Sequence, residues 1–216
     1  MRRQTIARGL SNPFKVLLFA LFFCGAFLVF SAIVNTPFIK ELDRWTMAAV
    51  ISIRTPKWTS VFMFVQQMGN KMVIFPMITI IGLYLALFKK FHESLFLFST
   101  AAGAFILDGW LKSYFHRPRP SAQTLILENG FGYPSRHTML AMALYGSMSF
   151  LMWTRLRGKG THSAIKLLSL TIALVLLVGF SMIYLGAHYP ADIFGGLLAG
   201  AAWLCFCCAW FMHIKE

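Results

Sequence analysis

Long apolar runs constrain this chain more than any other feature. Only 12% of its 216 residues are charged and 58% are hydrophobic, whereas a soluble domain carries about 25% charged residues. Apolar runs of about 20 residues are typical of helices that cross a lipid bilayer. The sequence therefore predicts an all-α protein, a bundle of six transmembrane helices over residues 16–34, 72–88, 94–115, 137–154, 166–186 and 190–212.

The segment over residues 35–71 differs from the apolar runs that flank it. It mixes charged with large apolar side chains and contains Pro56. This mixture is typical of short amphipathic helices in the membrane interface, broken near the proline, and a solvated loop is the alternative. The first run is too long for the ~7–15-residue core of a signal peptide, so we interpret it as an uncleaved anchor. No linker or repeat divides the chain, and we expect a single domain over residues 1–216.

The basic residues lie between the apolar runs and predict how the bundle is oriented. With the N-terminus inside, eleven are cytoplasmic: Arg2, Arg3, Arg8, Lys15, Lys89, Lys90, Arg155, Arg157, Lys159, Lys166 and Lys215. Nine are then on the outer side: Lys40, Arg44, Arg54, Lys57, Lys71, Lys112, Arg117, Arg119 and Arg136. Four of the nine belong to polar clusters described below, and the remaining ratio of eleven to five favours this orientation. The net charge of +13 thus predicts contact with membrane lipids, and no nucleic acid is expected as a partner.

Three short polar clusters stand at the ends of apolar runs, and six spans place all three on the outer side. They read KSYFHRPRP over 112–120, PSRH over 134–137 and SMIYLGAHYPAD over 181–192. Together they offer what transfer of a phosphoryl group needs: cations for the oxygens, a nucleophile and an acid for the leaving oxygen. No acidic cluster resembles a Mg²⁺ site, so we expect side chains, not a metal, to supply the cations.

Each of the first two clusters also has a structural explanation. Lys112, Arg117 and Arg119 suit phosphate oxygens, but basic side chains also snorkel at helix ends. Ser135 is a favoured N-cap residue, and a helix start binds anions through its N–H groups. A capped helix with an incidental histidine at His137 is the alternative for this cluster.

The third cluster places His188 and Asp192 four residues apart, with Pro190 as a candidate first residue of a helix. If the helical turn reaches back to His188, the two side chains face the same way. A carboxylate in this position would fix the tautomer of the imidazole and make His188 a good nucleophile towards phosphorus. A hydrogen-bonded polar pair at a helix start is the alternative. Asp108, inside the third span, is interpreted as a buried structural carboxylate, with a role in the site left open.

The clusters resemble the motifs of the type 2 phosphatidic acid phosphatase superfamily, a family of membrane lipid phosphatases. The first family motif, Lys, six residues, then Arg-Pro, is matched over 112–120. The second, Pro-Ser-Gly-His, is matched over 134–137 except at its glycine. The third, Ser-Arg, five residues, His, three residues, Asp, is matched over 181–192 except at its arginine. The six-helix layout also matches, so the resemblance covers nearly the whole chain.

The resemblance implies hydrolysis without a metal or other cofactor, through a phosphohistidine. His188 would attack phosphorus, Asp192 would support it, and His137 would protonate the leaving oxygen. The residues expected to bind substrate are Lys112, Arg119, Ser135, Arg136 and Ser181. The implied substrate is a lipid phosphate or diphosphate, namely phosphatidylglycerophosphate, phosphatidic acid or undecaprenyl diphosphate. The site would lie on the extracytoplasmic face of a bacterial-type cytoplasmic membrane.

Two positions depart from the family motifs. Arg136 replaces the glycine of the second motif and Met182 the arginine of the third. Loss of an arginine that holds the transition state could cost about 10²–10³ in rate, by analogy with an oxyanion donor. Arg136 could supply part of that charge, or it could point to solvent and lower activity.

Two other functions stay open beside hydrolysis. A lipid phosphotransferase would use the same intermediate with an acceptor other than water. Met182 favours the other alternative, a non-catalytic homologue that binds or transports lipids.

The predicted orientation has a direct test. In a protein whose native cysteines are removed, Gln123→Cys should react with an impermeant thiol reagent in intact cells, because residue 123 is predicted to lie outside. Labelling that occurs only after permeabilisation would overturn the orientation.

Overall fold

The structure, a computed structural model, describes residues 12–120, 123–156 and 161–215. These residues form helices and their connections, without a strand. In chain order the elements are α1 Pro13–Ile33, α2 Pro37–Ser52, α3 Pro56–Gln67, α4 Lys71–Leu87, α5 Phe91–Phe115, α6 Arg136–Ala141, the π-helical turn π1 Met142–Gly146, α7 Ser147–Leu156, α8 Thr161–Tyr184 and α9 Pro190–Ile214. The all-α prediction is confirmed for this part of the chain.

Four helices are long and apolar enough to cross a membrane. They are α1, α5, the part of α8 from Ile165 to Tyr184, and α9. α3 and α4 meet at a 45° bend across a short break. Taken together they are also long and apolar enough to cross a membrane, which raises the number of candidate spans to five. The run predicted over 137–154 is helical from α6 through π1 to α7. π1 divides this run into pieces of 6, 5 and 10 residues, and each is shorter than the ~20 residues that cross a bilayer.

The short helices predicted over residues 35–71 are present as α2 and α3. Pro37 and Pro56 stand in their first turns, where the missing N–H of proline costs no helical hydrogen bond. The side chain of Thr55 accepts a hydrogen bond from the Trp58 N–H and caps α3. The helical segment therefore breaks directly before Pro56, as predicted.

The packing around α9 sets the position of α6. α9 packs along α1 and also contacts α5 and α6. Gly196 allows this approach, since a Cβ there would lie 2.8 Å from the Ser135 carbonyl oxygen. Gly69 does the same from the α3–α4 connection, where a Cβ would lie 2.9 Å from the His137 carbonyl oxygen. The first turn of α6 is therefore held between α9 and the start of α4.

The two ends of the bundle differ in their polar residues. At one end Lys215 Nζ lies 2.7 Å from Glu93 Oε1, which joins the end of α9 to the first turn of α5. The opposite end carries the three polar clusters. Five of the basic residues that predicted the orientation lie outside the described residues, namely Arg2, Arg3, Arg8, Arg157 and Lys159.

Candidate active site

The three polar clusters meet where α5 ends and where α6 and α9 begin. His116 adopts a left-handed conformation with φ of 47°, which turns the chain from α5 into the following loop. The Gly132 N–H donates to the Arg117 carbonyl at 2.8 Å, and the Ser135 N–H donates to the Asp192 carbonyl at 2.9 Å. Backbone hydrogen bonds thus link the second cluster to the third, and the residues just before it to the first.

His188 and Asp192 form a buried pair. α9 begins at Pro190, as predicted, so His188 precedes the helix and Asp192 lies in its first turn. Asp192 Oδ2 lies 3.3 Å from His188 Nδ1 and accepts the Tyr189 N–H at 2.9 Å. Both side chains are fully buried. Burial, followed by the positive charges of Arg119 and Lys112, lowers the pKa of His188 well below its ordinary value of 6.5. The imidazole is therefore neutral at neutral pH.

Arg119 lies on the other side of the His188 ring. Its Nη1 is 2.9 Å from His188 Nε2 and donates to the Ala187 carbonyl at 3.0 Å. A guanidinium only donates hydrogen bonds, so Nε2 accepts and the ring proton is on Nδ1, facing Asp192. The lone pair of Nε2 is thus directed to the place where Arg119 would hold an anion.

His137 is buried in the first turn of α6, and neither of its ring nitrogens has a hydrogen-bond partner among the described residues. Its Nε2 lies 3.8 Å from Glu128 Oε1. The other oxygen of this carboxylate accepts from Arg119 Nη2 at 3.4 Å. Glu128 therefore lies between the two side chains, and sequence reasoning missed it because it stands alone in the loop between the first two motifs.

Lys112 and Arg136 share one carboxylate. Asp108, which is fully buried, accepts from Lys112 Nζ at 2.6 Å with one oxygen and from Arg136 Nε at 2.5 Å with the other. Asp108 is thus a structural carboxylate, as expected, and it also orients two cations of the site. The Arg136 side chain is bonded to Asp108 on α5 and 27% exposed, and among the described residues no hydrogen bond joins it to His188.

Arg117 joins α2 to the pair formed by His188 and Asp192. Its Nη1 lies 2.5 Å from Asp192 Oδ1, and its Nη2 lies 2.5 Å from Asp43 Oδ2. Asp43 Oδ1 accepts the Ala191 N–H at 2.9 Å. Sequence reasoning assigned Arg117 to the basic cluster and did not single out Asp43. Spacing gives no signal for this contact, because Asp43 and Ala191 lie 148 residues apart.

The two serines have different surroundings. Ser135 is the N-cap residue of α6, as predicted, but its side chain makes no capping hydrogen bond. Its hydroxyl oxygen accepts from Thr138 Oγ1 at 3.2 Å, which leaves its own proton able to donate to a ligand. Ser181 Oγ donates to the Val178 carbonyl at 2.6 Å within α8, so its proton is used inside the helix.

Met182, at the position of the motif arginine, is fully buried. It packs with Ala187 and Ile193 in a small apolar cluster. Its carbonyl oxygen accepts the His188 N–H at 3.3 Å. The chain therefore supports His188 here with apolar contacts and a backbone hydrogen bond, without a cation.

A membrane helix bundle that presents a neutral histidine between a carboxylate and an arginine has the features of an integral-membrane phosphatase. The chain belongs to the PAP2 superfamily of membrane lipid phosphatases, whose family model matches residues 93–215. It is accordingly a hydrolase and an integral membrane protein.

Individual lipid phosphatases are similar to this chain in sequence and in structure. Phosphatidylglycerophosphatase B of Bacillus subtilis is 28% identical over 174 residues, which are 81% of this chain and 85% of that protein. The putative undecaprenyl-diphosphatase YbjG of Escherichia coli is 35% identical over 68 residues, 32% of this chain and 29% of that protein. A crystal structure of a PAP2-type phosphatidylglycerolphosphate phosphatase from Bacillus subtilis has a TM-score of 0.82 at 25% identity, covering 91% of this chain and 96% of its own.

The contact of Asp43 with Arg117 predicts that Asp43→Asn lowers kcat by up to about 10²-fold, because Arg117 would no longer hold Asp192 in place. KM should change little, because Asp43 is buried and both of its oxygens are bonded to the protein, to Arg117 and Ala191. Phosphate release by the purified protein measures both constants, and ¹⁵N NMR of the His188 ring reports its tautomer. Glu41→Gln is the matched control, since Glu41 lies on the same helix in an exposed pair with Arg44. An unchanged kcat in a normally folded Asp43→Asn protein would contradict the role.

The lowered pKa of His188 predicts a pH dependence. The unfolded chain binds a proton at about 6.5, whereas folded His188 binds one only at lower pH. The folded protein thus loses stability relative to the unfolded chain as pH falls below about 6.5. In ¹⁵N spectra of histidine-labelled protein, the His188 signal, assigned with His188→Ala, should stay that of a neutral ring as pH falls through 6.5. Titration of His188 at or above that value would contradict its neutral state.

Proposed function

We propose that the protein hydrolyses the terminal phosphate of a lipid monophosphate or diphosphate through a phosphohistidine on His188. The arrangement around the ring carries the proposal: Nδ1 lies 3.3 Å from Asp192, and Nε2 lies 2.9 Å from Arg119. A nucleophile needs a lone pair directed at the phosphorus. A neutral ring held by a carboxylate provides it at Nε2 once Arg119 turns its N–H groups from Nε2 to the phosphate oxygens.

In the first step Arg119, Lys112 and Ser135 bind the phosphate oxygens. His188 Nε2 forms a bond to phosphorus while the bond from phosphorus to the lipid oxygen breaks. The anionic substrate favours a protonated His137 ring, which takes a proton from solvent as the substrate binds and then gives it to that leaving oxygen. Asp192 stabilises the positive charge that develops on the His188 ring.

In the second step water replaces the lipid. His137, now without its proton, accepts one from water as the water oxygen attacks phosphorus. The bond to His188 Nε2 breaks, and phosphate leaves. Because Lys112, Arg119 and Arg136 provide the positive charge, neither step needs a metal ion. Transfer to a second lipid would follow the same path with another acceptor in place of water.

The proposal includes the arrangement in the membrane. With the helical run from α6 to α7 as one span and the bent pair α3 and α4 as another, the bundle has six spans. The basic residues then favour an N-terminus inside the cell and the site on the extracytoplasmic face of a bacterial-type cytoplasmic membrane.

The substrate candidates are phosphatidylglycerophosphate, undecaprenyl diphosphate and phosphatidic acid. The relatives from Bacillus subtilis and Escherichia coli are named for the first two. All three carry a terminal phosphate on a membrane lipid, which is the group that Arg119 and His188 suit. A non-catalytic homologue is the second candidate, and the apolar surroundings of Met182 are the observation that favours it.

Replacing the nucleophile tests the proposal. His188→Ala should abolish phosphate release from short-chain phosphatidic acid by purified protein. Asp192→Asn should slow it roughly 10²–10⁴-fold, since it disturbs orientation and charge but not the bond-forming atom. The assay is run after dialysis in excess chelator, where the wild type should stay active.

His92→Ala is the matched control, because His92 is exposed in the first turn of α5, far from the site. Wild-type activity in His188→Ala would refute the phosphohistidine. An inactive but folded wild type would favour the non-catalytic homologue. Complete loss in chelator, restored by Mg²⁺ or Mn²⁺, would point to a metal-dependent reaction.

A further inference from the structure

Arg136 brings a cation to the site at the position where the family motif has glycine. Its Nε lies 2.5 Å from one oxygen of Asp108, and Lys112 Nζ lies 2.6 Å from the other. One carboxylate therefore holds the guanidinium beside a lysine that the proposed reaction uses for phosphate. Arg136 also directly precedes His137, which would protonate the leaving oxygen, so both residues belong to the first turn of α6.

The guanidinium of Arg136 is oriented but not fully bonded. Its carbon lies 5.2 Å from the centre of the Phe105 ring, on which it packs. Among the described residues its hydrogen bond is the one from Nε to Asp108. Its two terminal amino groups can therefore donate to a ligand, and the 27% exposure of the side chain leaves a route to them.

A second cation reaches the same aromatic ring from another helix. Lys71, the first residue of α4, has its Nζ 5.9 Å from the centre of the Phe105 ring. The chain just before it lies against α6, since a Cβ on Gly69 would be 3.1 Å from His137 Cβ. Lys112, Arg136 and Lys71 thus bring three positive charges to a region where Asp108 supplies one negative charge. Such an excess favours binding of a further anion.

We propose that Arg136 and Lys71 form a second anion subsite, which binds the second phosphate of a lipid that carries two. That group is either the inner phosphate of a lipid diphosphate or the phosphodiester between a lipid and its terminal phosphate. The inference rests on the proposed function and narrows its substrate class. While His188 attacks the terminal phosphate, the second phosphate belongs to the leaving group and lies on the His137 side, next to Arg136.

The test is a selectivity ratio measured with lipids in mixed micelles. kcat/KM is determined for phosphatidic acid, phosphatidylglycerophosphate and undecaprenyl diphosphate. Arg136→Gly, which restores the family residue, should lower the ratio of a two-phosphate lipid to phosphatidic acid by about tenfold, as for the loss of a charged hydrogen bond. Arg136→Lys keeps the charge and should retain most of the ratio. A fall for only one two-phosphate lipid identifies which kind of second phosphate the subsite binds.

Lys71→Ala should lower the same ratio by a smaller factor, because Lys71 is exposed. Lys57→Ala is its matched control, since it removes an exposed lysine from the first turn of α3 and should leave the ratio unchanged. Unchanged ratios in a folded Arg136→Gly protein, or an equal loss on all three lipids, would overturn the subsite. A Lys71→Ala ratio equal to that of Lys57→Ala would overturn the two-cation site.

Binding separates this inference from the proposed function. Dissociation constants of the same three lipids are measured on His188→Ala and on His188→Ala with Arg136→Gly. If wild-type protein releases no phosphate from any lipid, the proposed function fails, but tighter binding of two-phosphate lipids that Arg136→Gly removes still supports the subsite. Equal binding of all three lipids overturns it whether or not the protein is a phosphatase.

Discussion

The site depends on Arg117, whose guanidinium forks between Asp43 and Asp192 and bonds to both. All three side chains are buried, with exposures of 3%, 2% and 0%, at the end of a membrane bundle, where unpaired charge is costly. Removing one partner of such a pair destabilises a protein by about 3–5 kcal/mol, because the remaining charge stays buried. The fork also joins α2, the loop after α5 and α9, which are far apart in the chain. Asp192 can hold His188 only when these three segments are assembled.

Other cations around the site are also held by carboxylates. Four of the seven acidic residues of the chain form ion pairs with the cations of the site: Asp43, Asp108, Glu128 and Asp192. Fixed partners orient the cations before substrate arrives, and such preorganisation is what stabilises charge in a transition state. The pairs are not equal, however. Arg119 and Glu128 are 3.4 Å apart, whereas the pairs of Asp43, Asp108 and Asp192 with cations are 2.5 or 2.6 Å. Arg119 Nη2, whose hydrogen bond is to Glu128, is thus held less closely than those cations and can be given to a phosphate.

Local chemistry made much of this arrangement predictable. The capping position of Ser135, the start of α9 at Pro190 and the break before Pro56 depend on neighbours in the sequence, and all three are present. Asp43 and Glu128 were missed because their partners come from distant segments. Composition was the available signal. The chain has 20 basic and only seven acidic residues, so a carboxylate among apolar side chains is a candidate for a buried ion pair with one of the basic residues. The number of spans was harder to predict. π1 divides the run predicted over 137–154, and α4, predicted as a span over 72–88, is a candidate span only together with α3.

Compared with the family motifs, the chain has Met182 in place of an arginine and Arg136 in place of a glycine. These two differences relocate positive charge within the site. At residue 182 a cation would approach from α8, next to the backbone that carries His188, and the chain has apolar packing there instead. Arg136 enters from α6, bonded to Asp108 and adjacent to His137. In the proposed reaction this moves positive charge from the side of the nucleophile towards the side of the leaving group. Stabilisation there matters most when the leaving group itself gains negative charge. After His137 protonates the leaving oxygen, a leaving group that carries a second phosphate still holds negative charge on its other oxygens, whereas a simple alcohol is neutral. Under the proposed reaction, the relocated arginine would therefore assist a phosphate-bearing leaving group more than a simple alcohol.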